Sequence, residues 1–186
     1  GALDYRGVFT KTTLSRVVLF LVFGLIAAAI TGAAGHFTWK GRPDNLEFSD
    51  LNSPMYHYRR AIERTVGSVL KVLPLIVGVI AGFLGQSTWR TVLLFINGKD
   101  FGEKDPQFGK DLGFYAFDLP FWQLVVSTLS MMVALAFLIA LVGHYVLGGI
   151  RIGNKAAGVA GEVTRSARVQ LAVISGIWVL LRVAGY

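Results

Sequence analysis

The sequence has no cysteine and few charged residues. Only 16% of its 186 residues are charged, against about 25% in soluble proteins. The missing cysteine excludes disulfide bonds and thiolate metal sites. The low charge, together with 54% hydrophobic residues, argues against an ordinary soluble domain.

Long uncharged runs dominate the sequence. Val17 to Trp39 contains no charged residue, and Leu119 to Ile150 is a longer run of the same kind. Thr65 to Trp89 is interrupted only by Lys71. Roughly 20 apolar residues in a helix cross a hydrocarbon core of about 30 Å. None of the runs contains an acid, which argues against a coupled transporter, because ion relays need acids inside the spans.

These runs predict an all-α fold, a polytopic transmembrane helix bundle that forms one unit. The spans are predicted at about 17–39, 66–89, 120–147 and 166–186. The chain does not begin with Met, and the apolar pattern still runs at Tyr186. We therefore expect a fragment of a longer protein that has further spans.

Positive charge predicts the orientation, because cytoplasmic loops collect Lys and Arg. The connections 40–64 and 151–168 hold nine such residues, whereas 1–16 and 97–118 hold six. We expect a bacterial plasma-membrane protein with cytoplasmic loops at 40–64 and 151–165 and extracytoplasmic segments at 1–16 and 97–118. The same bias explains the net charge of +7 without nucleic acid as a partner.

Small residues recur at four-residue spacing in the first two spans. Gly24, Ala28 and Gly32 share one helix face, and Gly78 and Gly82 share another. Small residues let helix backbones approach closely in a membrane. The pattern predicts helix-packing faces.

Cations beside aromatic residues mark the predicted membrane interface, where such side chains concentrate. We expect interfacial or lipid-headgroup contacts at Arg59, Arg60, Arg64, Lys71 and Arg90. Lys71 lies near the start of a span, and extension of its ammonium toward the headgroups is favoured over a functional buried lysine.

The segment Asn97–Asp118 is unusually aromatic for a loop. We expect it to lie on the membrane surface or on a partner, with candidate partner-binding residues Asp105, Phe108, Phe114, Tyr115 and Phe117. Its carboxylates suggest a Ca²⁺ or Mg²⁺ site, but their spacing does not fit an EF-hand. An ion-paired surface loop is favoured, and no metal is predicted.

No catalytic pattern is visible. His36, His57 and His144 are far apart, which argues against zinc, and the predicted topology argues against a two-histidine haem. Neither a G-x-S-x-G motif nor a P-loop occurs. We expect no enzymatic activity and no cofactor.

Several motifs resemble one bacterial family. They are the stretch Phe101–Phe121, His144–Tyr145 followed by Gly148–Arg151, and Arg165–Leu171 leading to Gly185–Tyr186. The chain resembles the uncharacterised protein family 0182, large membrane proteins common in actinobacteria. The resemblance implies a longer protein with further spans and a large extracytoplasmic domain. It brings no established activity and no catalytic residues.

Two functions remain open from the sequence. The first is a structural or accessory subunit of a larger envelope or membrane complex, with membrane lipids and other membrane-protein subunits as partners. The alternative is transport or handling of a lipid or envelope precursor together with a large extracytoplasmic domain. Small-residue faces favour the first, and basic interfacial residues suit the anionic headgroups of the second.

Overall fold

The computed structural model describes residues 2–43, 54–99, 101–151 and 161–185, most of which are helical. The helices are α1 (Ala2–Lys40), α2 (Pro54–Gln86), α3 (Trp89–Asn97), α4 (Leu119–Val146) and α5 (Arg165–Ala184). A π-helical turn, Phe114–Asp118, leads into α4. The short strands β1 (Ile150–Arg151) and β2 (Glu162–Val163) pair antiparallel between α4 and α5.

Four helical segments in the described part of the chain are long and apolar enough to cross a membrane, by length and composition. They are Thr10–Lys40, Ala61–Gln86, Phe114–Val146 and Arg165–Ala184. The prediction of a mostly helical chain with four such helices is confirmed. A loop that lies on the membrane surface outside the cell stays a prediction.

Several boundaries differ from the sequence expectation. α1 begins at Ala2 rather than near Val17, because an established helix gains one hydrogen bond for each residue added. α2 ends at Gln86, and after a turn the separate helix α3 follows. Helical backbone was expected only from about Pro120, but Phe114–Asp118 is already a π-turn. In this wider turn the N–H of Leu119 donates to the carbonyl oxygen of Phe114. The strands β1 and β2 were not predicted.

The closest helix contact joins α1 to α2. A Cβ atom added to Gly24 would lie 2.9 Å from the carbonyl oxygen of Gly78, and the reverse distance is also 2.9 Å. A Cβ on Gly78 would also come 3.0 Å from the Cβ of Ala28, and one on Gly82 would come 2.8 Å from the backbone oxygen of Phe20. The two backbones touch because these positions carry little or no side chain.

α4 packs between α1 and α5 and contributes more buried side chains than any other described helix. Its buried residues are Ser130, Met132, Val133, Ala136, Ile139, Ala140, Gly143 and His144. In α2 and α5, by contrast, most described apolar side chains are exposed. The core therefore lies along α1 and α4, and the outer faces of α2 and α5 remain available.

Candidate functional site

A buried polar cluster joins α1, α4 and α5 near the end of α1. His144 is fully buried, and its Nε2 lies 2.9 Å from Oε1 of Gln170. The amide nitrogen of Gln170 donates to the carbonyl oxygen of Ala34 at 2.9 Å and to Oγ1 of Thr38 at 3.2 Å. Thr38 in turn donates to the carbonyl oxygen of Ala34 at 2.8 Å. The cluster gives polar groups in apolar helices the partners they need away from water.

The hydrogen bonds define the state of the histidine. Oε1 of Gln170 is an acceptor, because the amide nitrogen of that side chain is directed to Ala34 and Thr38. Nε2 of His144 is therefore the donor in this hydrogen bond. Nδ1 is buried and has no hydrogen-bond partner among the described residues. As a donor, His144 fixes the side chain of Gln170.

The end of α4 brings His144 to α5. Gly148 adopts φ 79°, and the N–H of Gly149 donates to the carbonyl oxygen of His144 at 2.7 Å. These bonds form a Schellman ending, for which glycine is favoured. The carbonyl oxygen of Gly149 then accepts the N–H of Thr164 at 2.9 Å, and Oγ1 of Thr164 caps α5 through the N–H of Ala167. Hydrogen bonds therefore connect the turn after α4, the N-terminal cap of α5 and the polar cluster.

A further bond ties α5 to the end of α1. The hydroxyl of Ser166 donates to the carbonyl oxygen of Gly41 at 2.6 Å. At the opposite end of the bundle, the guanidinium of Arg16 lies 5.4 Å from the ring centre of Trp89. The connections that follow α1 and α4 therefore leave from one end, and the α2–α3 turn lies near the other.

An apolar groove of about 850 Å³ runs between α1, α4 and α5. Val133 and Ala136 of α4 are buried at its floor, and Phe37 of α1 and Val173 of α5 are exposed along its sides. The polar residues that line it are Lys40, Ser166 and Gln170. All three lie in the last turns of α1 or the first turns of α5, so the groove has one polar end.

The predicted helix-packing residues lie inside the α1–α2 contact. Gly24, Ala28, Gly78 and Gly82 face the opposing helix, and a Cβ on Gly32 would lie 3.6 Å from Cβ of Pro74. These faces are therefore occupied within the chain. They do not remain free for a partner.

The predicted interfacial cations are spread over the surface. Arg64, Lys71 and Arg90 are exposed, and the guanidinium of Arg90 lies 5.4 Å from the ring centre of Trp89. Arg59 and Arg60 lie in α2, but their side chains fall outside the described residues. The structure does not gather these cations into one site.

The predicted loop residues lie in two neighbouring structures, which a side-chain hydrogen bond between Asp105 and Tyr115 links. Phe114, Tyr115 and Phe117 belong to the π-turn, whereas Asp105 and Phe108 lie in a compact turn before it. The ring of Phe117 stacks on Phe101 with centroids 5.7 Å apart. Phe108 is 68% exposed, so it is the ring of this segment that is best placed to contact another surface.

Asp111 organises the turn before the π-helix. Its carboxylate accepts the backbone N–H groups of Gly113, Phe101 and Gly102 at 2.7 to 3.0 Å. These bonds, that from Gly113 foremost, lower the pKa of Asp111 below its usual 3.8. Among the described residues, which omit Asp100, no three potential ligands gather into a metal site. Asp111 serves the backbone of its own turn.

Sequence reasoning missed the polar cluster and the groove. It considered His144 as one of three histidines too far apart to bind zinc, and it did not single out Gln170 or Thr38. A usable signal was present, because Gln170 is an amide within an apolar helix and such a group requires a partner. Which helix supplies that partner depends on tertiary packing.

Comparison with known proteins places the chain among uncharacterised sequences. The sequence model described as "Uncharacterised protein family (UPF0182)" matches residues 1–186. A UPF0182 protein of Corynebacterium diphtheriae is 57% identical over 186 residues, which are 100% of this chain and 19% of that protein. For a UPF0182 protein of Rhodococcus erythropolis the identity is 44%, with the same coverage of both chains.

The chain therefore spans 19% of the length of these curated relatives. A UPF0182 protein of Corynebacterium glutamicum, 52% identical over the whole chain, is covered to the same extent. No solved structure matches the chain.

Proposed function

Since the chain belongs to the uncharacterised protein family UPF0182, whose name records no activity, we propose its function from its own geometry. We propose that it is the membrane-embedded part of a longer protein and serves as a structural or accessory subunit of a larger membrane or envelope complex. The role is non-catalytic. Its location is the bacterial plasma membrane, with 40–64 and 151–165 cytoplasmic and 1–16 and 97–118 outside.

One observation carries the proposal, the uncovered small-residue face of α5. Ala172, Ser175 and Gly176 lie on one side of this helix and are exposed. A Cβ on Gly176 would meet no heavy atom of the described residues within 4 Å. Small residues at this spacing are typical of helix interfaces in membranes. The corresponding faces of α1 and α2 are already packed together, so the face of α5 is the one that supports partner binding.

The arrangement of the chain ends supports the proposed orientation. Ser166 is bonded to the carbonyl oxygen of Gly41, so both basic connections begin at the same end of the bundle. Positive charge concentrated at one end favours the cytoplasmic side. In this orientation the exposed ring of Phe108 faces outward, where the aromatic loop lies against the membrane surface or a partner.

Bulky substitution on α5 tests the assembly role. We expect Ala172→Leu with Gly176→Leu, made in the full-length protein, to remove stoichiometric partner proteins from a mild-detergent purification, as measured by mass spectrometry and native gels. The control is Val173→Leu, which introduces a leucine on the groove side of the same helix. A complex that stays intact in the double variant contradicts the proposal.

A second function, lipid handling, is favoured by the groove between α1, α4 and α5. The groove is apolar along its length and has a cation, Lys40, at one end. These features suit a molecule with apolar chains and an anionic head. Assembly through α5 and lipid handling through the groove use opposite sides of the same helix.

A further inference from the structure

We propose that the groove between α1, α4 and α5 is a binding site for one anionic phospholipid. Its acyl chains lie along the groove, and its phosphate lies at the ammonium of Lys40. The inference deepens the lipid-handling function and rests on it for its biological purpose.

The length of the groove suits acyl chains. Its lining on α5 runs from Ser166 to Leu181, a rise of about 22 Å. This length lies within a hydrocarbon core of about 30 Å, so flexible hydrocarbon chains can lie along the groove from one end.

The groove offers nothing polar along its length to bind a protein segment. The side-chain amide of Gln170 is already hydrogen-bonded to His144, Thr38 and the carbonyl oxygen of Ala34. The hydroxyl of Ser166 donates to Gly41. The walls beyond these residues are aliphatic and aromatic side chains such as Phe37 and Ile177. An occupant gains from apolar contact over most of its length and meets polar groups at one end only.

Lys40 is the group that selects an anionic head. It is exposed, lines the groove and has no carboxylate partner among the described residues. It lies at the last residue of α1, where the segment long enough to cross the membrane ends. A lysine in that position extends its ammonium to the headgroup region. Charge complementarity therefore favours phosphatidylglycerol-like lipids over zwitterionic ones.

The polar cluster keeps this end of the groove at a fixed width. Gln170 holds α5 to α1 at Ala34, and His144 holds Gln170 to α4. Bonds between side chains and backbone keep three helices in place where packing alone leaves space. The binding site is therefore built into the fold before a lipid arrives.

The first test is lipid retention by full-length protein in detergent, measured by native mass spectrometry with dioleoyl phosphatidylglycerol and dioleoyl phosphatidylcholine. We expect Val173→Trp, which places an indole ring in the groove, to weaken phosphatidylglycerol binding about five-fold or more, equivalent to about 1 kcal/mol. Val179→Trp is the matched control, since Val179 is similarly exposed on α5 but outside the groove. Equal effects of both variants, or none from Val173→Trp, would overturn the site.

The second test addresses the headgroup. We expect Lys40→Gln to weaken phosphatidylglycerol binding about five-fold, the effect of about 1 kcal/mol for one cation at an anionic headgroup, and to leave phosphatidylcholine unchanged. Lys11→Gln, which removes an exposed cation from the other end of α1, is the control. Equal loss for both lipids, or equal loss in both variants, would overturn the role of Lys40.

The binding assay separates the site from its purpose. A protein that retains phosphatidylglycerol in the groove but moves no lipid between vesicle leaflets keeps the site and refutes lipid handling. Lipid movement that is insensitive to Val173→Trp would overturn the site as part of that function.

Discussion

The α1–α2 contact and the α5 side of the molecule solve helix packing in different ways. Between α1 and α2, Gly24 and Gly78 let the backbones touch. At α5, a hydrogen-bonded cluster around Gln170 secures one end, and a groove remains beyond it. The comparison shows which surfaces of the chain are already packed. The α1–α2 contact is complete within the chain, whereas the α5 side has room for other molecules.

The largest expected effect comes from placing a bulky side chain in the contact between α1 and α2. Gly78→Leu places a side chain where a Cβ already lies 2.9 Å from the carbonyl oxygen of Gly24. Because overpacking of this kind costs about 3 kcal/mol, we expect a much lower thermal midpoint and loss of monodisperse protein in detergent. Gly176→Leu is the same change in open space and is expected to leave stability within about 0.5 kcal/mol. Equal stability of both variants would contradict the account of the contact.

An intermediate effect is expected at the polar cluster. Gln170→Leu leaves Nε2 of His144 and the carbonyl oxygen of Ala34 without this side chain, and unmade buried hydrogen bonds cost about 1–3 kcal/mol. In a double-mutant cycle with His144→Leu, we expect a coupling energy of about 0.6–1.7 kcal/mol, the range for such bonds in membranes. Thermal or denaturant unfolding measures it. Strict additivity of the two changes would show that the bond is energetically silent.

The smallest effect concerns the turn held by Asp111. Hydrogen bonds from Gly113 and the neighbouring backbone lower its pKa below 3.8, so the ionised form stabilises the turn. That contribution is complete above the unfolded pKa and is lost as the pH falls through the lower folded pKa. We expect hydrogen-exchange protection of the Phe101, Gly102 and Gly113 amides to fall below pH 3.8.

Asp111→Asn provides the control for that pH dependence. The variant keeps an acceptor oxygen but no charge, so we expect weak protection of the three amides at every pH. If the variant and the original chain show the same pH profile, Asp111 does not organise the turn.

The sequence was sufficient for the helices that are long enough to cross a membrane. Uncharged runs require helices, because every backbone group needs a partner in an apolar medium. The predicted span at 120–147 agrees with α4, which ends at Val146 before the left-handed turn at Gly148. The four-residue spacing of small residues that begins at Gly24 and at Gly78 predicted close helix packing. It did not predict which helices would pack together.

Neither the groove nor the partners within the polar cluster could be predicted from the sequence. Both depend on which helices lie side by side, and an apolar run does not indicate which helix will be its neighbour. Thr38, His144 and Gln170 are separated by more than a hundred positions in total and become one cluster only through the α4–α5 turn. The π-turn was missed because Pro120 suggested a helix start rather than an adjusted helix.

The most direct measurement places a photo-activated aliphatic diazirine side chain, close to leucine in size, at Ser175 in one variant and at Val173 in another, in full-length protein within native membranes. The account predicts a covalent link from Ser175 to another polypeptide and from Val173 to an anionic phospholipid, both identified by mass spectrometry. Links from Ser175 to lipid alone, or from Val173 to a peptide of the same protein, would contradict it.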